Sequence, residues 1–449
     1  MRQHVRLGPA AGLAVVLALF LLVACAGAAG APGGARVAKV SGSAPNGNAE
    51  VEQAVDGRYV YEAWIKVRNG IGFARSVDRG RTFGPASTVP GSLAGQFHAW
   101  DPAVAVAPDG TLYVAYMMVR LAKTPKGPMR LMTPTVAVSH DHGKSFDRVS
   151  PLPVPSPTTP PGNWGDREFI AVGPNGTVYV TWDYGPRLDE VRDFCPPSGS
   201  CAFSAGDFNA VLQKSSNGGA TWTMPTAISP RFPLGGVYAA PIVAEPNGAL
   251  DVLYWQHPTD PQTLKVSRGL QYFTRSTNGG STWSTPLVVG RRAGTISLLV
   301  WWIDGDLARD PAGNLYAAWD TQRGSRDTGW LAWSTNSGKR WSAPLRVAGS
   351  KTMHLTQVAA VGPRDVYVAW QTPVAKKGYA TFLRRLAVGK GWTGPAKRIS
   401  PRYGNRKVWP GDTFGLTTRG GSAVVSWGSA VGKRKTSDIW STVVTLPAP

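Results

Sequence analysis

Four aspartates stand at comparable points of a recurring pattern. Asp101, Asp166, Asp304 and Asp412 each open a β-rich hairpin, and an aromatic residue precedes each within three positions. Those aromatics are Trp100, Trp164, Trp301 with Trp302, and Trp409. Where a related hairpin lacks the aspartate, the same place offers Tyr238, or His354 with Gln357, and Arg167, Glu168 and Asp306 add polar groups close by. Flat indole faces suit the C–H side of a pyranose and carboxylates suit its hydroxyls, so the set has the chemistry of sugar recognition. Two carboxylates at a suitable separation would also serve a glycoside hydrolase as acid/base or acid/nucleophile. The competing reading is structural: such aspartates bond backbone N–H groups of a neighbouring element, and such tryptophans fill gaps.

The hairpins that position these residues read like "DPAVAVAPDGTLYVAY" from Asp101, two β-rich runs around a Gly or Asp/Asn turn. Seven such phrases begin at Val51, Asp101, Asp166, Ala239, Asp304, Thr356 and Asp412, and the Trp or Tyr closing each recurs every 51 to 73 residues. Two further short apolar runs follow each of the first six. A four-stranded unit repeated seven times predicts an all-β, seven-bladed β-propeller of antiparallel blades over residues 36–449, with a six-bladed ring as the alternative. The seventh copy lacks its last strand. The run from Arg36 to Gly42 is expected to supply it, which closes the ring and hides an edge.

Between the third and fourth runs, five copies carry "SVDRGRTF" from Ser76, "SHDHGKSF" from Ser139, "SSNGGATW" from Ser215, "STNGGSTW" from Ser276 and "STNSGKRW" from Ser334. Asp78, Asp141, Asn217, Asn278 and Asn336 share one position, where a side-chain oxygen can accept backbone N–H groups of a tight turn. The phrase resembles the Asp box, or BNR repeat, of the sialidase-like propellers, and the resemblance runs from about Arg36 to the end of the chain. It implies that these turns are structural. In a meandering blade they share one face with the hairpin turns, whereas the connections of variable length, at Met117, Val154, Asp183 and Val289, share the other. Function is expected on that loop-rich face, onto which the aspartates open.

Sialidases bind the substrate carboxylate with three arginines, the first in an Arg-Ile-Pro motif, and cut with a Tyr–Glu nucleophile and an Asp acid/base. No Arg-Ile-Pro precedes Ser76 here, so that signature is not found. The resulting expectation is a protein that binds a glycan or an anionic envelope polymer at the loop-rich channel mouth. An exo-sialidase-like glycoside hydrolase using a carboxylate pair is the alternative. No metal or cofactor is expected, and a monomer is.

The chain opens with Arg2, Arg6 and an apolar run from Leu13 to Ala24, the pattern of an export signal. Leu22-Val23-Ala24-Cys25 is similar to the bacterial lipobox. That similarity implies a signal peptide over 1–24, lipidation of Cys25, a tether over 25–35 and anchoring on the outer side of the membrane, extracellular or periplasmic. In such a compartment Cys195 and Cys201 are expected to form a disulfide. The formal net charge is +21. The Lys and Arg residues read as scattered and no binding motif accompanies them, so nucleic acid is not expected as a partner.

Overall fold

The computed structural model describes residues 36–93, 99–157, 160, 162–187, 192–194, 202–205, 209–230, 235–238, 240–258, 269–294, 305–323, 326–350, 355–375 and 377–447. They form seven blades, each an antiparallel meander whose strands follow one another outward. The innermost strands are Asn48–Asp56, Ala99–Val106, Trp164–Val172, the split pair Gly235–Tyr238 and Ile242–Ala244, Gly305–Arg309, Leu355–Gly362 and Gly415–Arg419. Each touches the innermost strand of the next blade, and the last touches the first, so the ring closes at seven.

The aromatic that recurs near the end of each second strand explains why the repeat folds this way. Trp64, Tyr116, Trp182, Trp255, Trp319, Trp370 and Trp427 are all 5% exposed or less. Strand alternation sends six of them to the same side of their blades, against the preceding sheet, and in blade 4 it is Tyr254 that takes this side while Trp255 turns to the other. Burying such a ring contributes on the order of 2–3 kcal/mol. Its N–H must still be met: Trp64 Nε1 donates to Asn48 Oδ1 at 2.7 Å, and Trp182 Nε1 to Gln213 Oε1 at 2.9 Å.

The seventh blade draws its strands from both ends of the chain. Val37–Lys39 pairs with Asp438–Thr445 as its outer strand, with Ala38 opposite Ser441. On the inner side, the seam between blades 7 and 1 is polar. Gln53 Nε2 donates to Val424 O at 2.7 Å, and the Ser426 hydroxyl, with one proton to donate, stands within hydrogen-bond reach of Glu62 Oε1 at 2.6 Å and of Gln53 Oε1. Glu62 is fully buried, its Oε2 has no hydrogen-bond partner, and burial pushes its carboxyl up to about 7 against the lowering effect of the Ser426 and Ser441 hydroxyls.

The five recurring turns are staples. Ser76 Oγ donates to Asp78 Oδ1 at 2.8 Å and accepts from Gly80 N, while Asp78 Oδ1 also accepts from Thr82 N at 2.8 Å. Asparagine closes the turn in the same way, since Asn278 Oδ1 accepts from Ser276 Oγ and Thr282 N, both at 2.9 Å. Gly280 has φ +83°, and a Cβ there would lie 2.1 Å from Leu212 of the preceding blade, so only glycine permits that approach.

One expectation needs correction. The stretch from Met117 to Pro134 is not a loop but an extension of the blade, because Leu112–Thr124 and Gly127–Ser139 stay paired in continuous register to a tight turn at Thr124 and Gly127. The leader, Cys25, the tether, Cys195 and Cys201 lie outside the described residues.

Candidate functional site

Three consecutive blades carry the same irregularity in their innermost strand. Pairing with the second strand slips between Ala49 and Val51, between Trp100 and Ala103, and between Asp166 and Phe169. At each slip a charged residue adopts left-handed backbone geometry: Glu50 at φ 51°, Asp101 at φ 47° and Arg167 at φ 50°. Such a conformation costs a side-chain-bearing residue roughly 1–2 kcal/mol, and a bulge re-aims the side chain it carries. Among the described residues, the other non-glycine residues of this kind, Arg68, Arg79, His142, Ser337 and Arg364, stand at turns or bends between strands, where reversal of the chain demands it.

The three re-aimed side chains converge. Arg167 N donates to Asp101 Oδ2 at 3.2 Å, and its guanidinium lies 3.9 Å from Asp101 Oδ1 and 4.0 Å from Asp412 Oδ2. Arg167 of blade 3 thus spans to the loop that leads into blade 7. Trp100 Nε1 donates to Asp166 Oδ1 at 3.1 Å across the blade boundary, and Trp409 Nε1 donates to Asp412 Oδ1 at 2.8 Å. Gly411 makes the close fit possible, since a Cβ there would stand 2.2 Å from Glu50 N. Trp409 is 41% exposed and presents its ring at the edge of the cluster.

Five carboxyls, Glu50, Asp101, Asp166, Glu168 and Asp412, therefore share the guanidinium of Arg167. Burial, followed by the negative charge of Asp101, raises Glu50, Asp166 and Glu168 well above the ordinary carboxylate range, and Arg167 only partly offsets this. Neither oxygen of Glu168 has a hydrogen-bond partner, although the residue is only 2% exposed. Like charges so placed resist ionising together, and burial holds Glu50, Asp166 and Glu168 toward their protonated forms, which add O–H donors to the carboxylate acceptors. That mixture, with an indole at its rim, can hydrogen-bond vicinal hydroxyls in both senses.

The structure brings Asp101, Asp166, Arg167, Asp412, Trp100 and Trp409 together. Trp164 is not in this cluster: at 3% exposed it packs in the apolar core between blades 2 and 3. Asp306 is committed to backbone, accepting from Val358 N at 2.7 Å and Leu307 N at 2.8 Å, so it stitches blade 5 to blade 6, and burial pushes its carboxyl up to about 6. Gln357 is buried on the innermost strand of blade 6, and Tyr238 pairs with Trp255 on blade 4. Trp301, Trp302, Asp304 and His354 lie outside the described residues. Glu50 escaped the sequence reading because it stands one residue nearer its closing aromatic than Asp101 and Arg167 do to theirs. An acid interrupting the first strand run was the signal available.

No family model matches the chain, and no curated protein matches it in sequence. Among solved structures it is similar to an ulvan lyase of polysaccharide lyase family PL25, at 13% identity over 90% of this chain and 94% of that one, with a TM-score of 0.59. That lyase has also been solved with a bound saccharide of GlcA and sulfated Rha. The polysaccharide lyase Uly1 is similar over 90% and 91% at 11% identity and a TM-score of 0.53. A sialidase, NanB of Streptococcus pneumoniae, matches more loosely, at 11% identity over 78% and 68% with a TM-score of 0.49. At these identities the likeness to the lyases is one of fold.

Proposed function

We propose that this propeller binds a glycan at the mouth built from Glu50, Asp101, Asp166, Arg167, Asp412, Trp100 and Trp409. The observation that carries the reading is the repeated bulge. Three left-handed charged residues, aimed at one place from three blades, cost the fold stability and supply it with no core, which is how a ligand site behaves. The likeness to two polysaccharide lyases supports a saccharide as the ligand class. Binding is favoured over hydrolysis because Asp101 is in hydrogen-bond contact with both Glu50 and Asp166. Hydrolytic pairs stand about 5–9.5 Å apart to admit the sugar and water.

Calorimetry against a panel of soluble glycans tests the assignment. For a glycan the wild type binds, Asp101→Asn and Trp409→Ala are expected to weaken affinity about five- to hundredfold, the loss of about 1–3 kcal/mol typical of a buried hydrogen bond or a stacked ring. Asn278→Ala, in a staple on the opposite face, should lower stability by roughly 1 kcal/mol and leave affinity unchanged. Loss of affinity at Asn278 but not at Asp101 or Trp409 would place the site on the other face, and release of reducing ends or unsaturated sugars by the wild type would replace binding by cleavage.

The reading includes export and lipid anchoring through Cys25, motivated by Leu22-Val23-Ala24-Cys25 after the apolar run. Cys25→Ser is expected to abolish incorporation of labelled fatty acid and release the protein from membranes. Unchanged labelling and retention would refute it.

A further inference from the structure

The positive charge of the chain is not spread evenly. Between Asp365 and Asp438 there is one acid, Asp412, against fourteen Lys and Arg residues. Asp438 itself is held in ion pairs with Lys39 and Arg434. The fold gathers part of this excess at one place. Gly404, in the connection from blade 6 to blade 7, bridges Tyr379 on one side and Val431 on the other, sewing the two blades together at the face onto which the channel mouth opens. Beside this seam is an open cleft of about 570 Å³, a size ordinary for a small-ligand site.

Its walls carry Lys377, Arg406, Lys407 and Lys433, with Tyr403 between them, and among the described residues no Asp or Glu lines it. The wall is fixed by backbone rather than by chance side-chain contact. Gly404 N donates to Tyr379 O at 2.8 Å, Asn405 N to Ala430 O at 2.8 Å, and Asn405 Oδ1 accepts from Lys407 N at 3.0 Å. Gly378 has φ +118°, and a Cβ there would meet Gly404 O at 2.1 Å, so the two loops touch as closely as backbones can. The Tyr403 ring has the Arg398 guanidinium at 4.5 Å and the Lys377 ammonium at 5.7 Å. Four cations on one cleft with no acid among them repel one another within a Debye length, a cost that an anionic ligand would remove.

We propose that this cleft is an anion-binding subsite for a sulfated or carboxylated polysaccharide that continues into the mouth. The proposal rests on the glycan-binding reading above and names its ligand class. The same connection that supplies Tyr403, Arg406 and Lys407 to the cleft runs on to Trp409 and Asp412 at the mouth, so one extended chain can touch both. Tyr403 adds an aromatic wall of the kind saccharides use. A polysaccharide is favoured over a lipid headgroup or a nucleic acid because the connection that lines the cleft also carries Trp409 and Asp412 of the proposed glycan mouth.

The experiment measures binding of dextran sulfate and of unmodified dextran at several salt concentrations to the soluble chain. The wild type is expected to bind dextran sulfate more tightly, with an affinity that falls steeply with salt. Lys377→Glu with Lys433→Glu, both exposed, should weaken dextran sulfate at least tenfold, flatten its salt dependence and leave dextran unchanged. Lys144→Glu with Lys339→Glu, the same change of charge on the staple face, should alter dextran sulfate binding less than threefold. Equal loss in both double variants, or none in the first, overturns the proposal. So does tighter charge-dependent binding to phosphatidylglycerol vesicles or duplex DNA than to dextran sulfate. Trp409→Ala, run in parallel, separates the two readings. If it weakens both polymers while Lys377→Glu with Lys433→Glu changes neither, the mouth stands and the cleft assignment fails.

Discussion

Replacing Arg167 by Met is expected to destabilise the protein by about 3–5 kcal/mol at pH 8 and by much less at pH 5. The guanidinium stands between Asp101 and Asp412, and it is the cation that lowers Glu50, Asp166 and Glu168 against burial and mutual repulsion. These three carboxyls are raised on folding, so the stability they contribute is present at low pH and is lost as pH rises through their folded values. Removing Arg167 raises them further and steepens that loss. As pH falls Glu50, Asp166 and Glu168 take up protons, and the missing cation then matters less. Urea titrations of both proteins at the two pH values decide it. An equal deficit at pH 5 and pH 8 would mean that Arg167 acts through packing and not through charge.

The second large effect lies at the seam that closes the ring. Glu62→Gln is expected to stabilise the protein at pH 8 by roughly 3 kcal/mol and to be neutral near pH 4, the displacement from 4.5 to about 7 setting the size. Between those values folded Glu62 keeps a proton that the unfolded chain has released, so stability declines across the window and the loss is complete above about pH 7. Glutamine keeps an acceptor for the Ser426 hydroxyl and carries no charge to bury. Urea midpoints from pH 4 to pH 8 would show the wild-type curve falling and the variant's flattening. A variant less stable than wild type at pH 8 would show that the ionised carboxylate is welcome there.

The ring was legible in the sequence because each blade repeats one buried aromatic and one stapled turn, two features with fixed spacing to their strands. The convergence of Asp101, Asp166 and Asp412 was legible for the same reason, since equivalent strand positions in a closed ring share a rim. Glu50 was not, because a bulge shifts register by one and counting from the aromatic does not see it. Trp164 and Asp306 sit where the pattern put them, but the pattern is silent on which way a side chain turns, and one faces the core while the other holds the next blade's backbone. The cationic cleft was hidden for another reason: charge summed over the whole chain looked diffuse, and only the Tyr379–Gly404–Val431 bridging brings residues from two blades to one wall.

The staples bear on how the molecule ages. In the turn at Asp78 the Thr82 hydroxyl donates to Asp78 Oδ2 at 2.6 Å, whereas at Asn217 and Asn278 the amide donates to the hydroxyls of Thr221 and Thr282, each at 2.8 Å. The threonine is an adaptor that reverses its role according to what faces it. Asn217 and Asn278 are each followed by glycine, the neighbour that least hinders loss of ammonia from an asparagine side chain. The cyclic imide left by that loss hydrolyses either to aspartate, which would recreate the bonding already present at Asp78, or to isoaspartate, which lengthens the backbone of the tight turn by one methylene; both add one negative charge. Chemical wear on that face would therefore be read by an ion-exchange column as added negative charge, and by the fold wherever the staple's backbone has been lengthened.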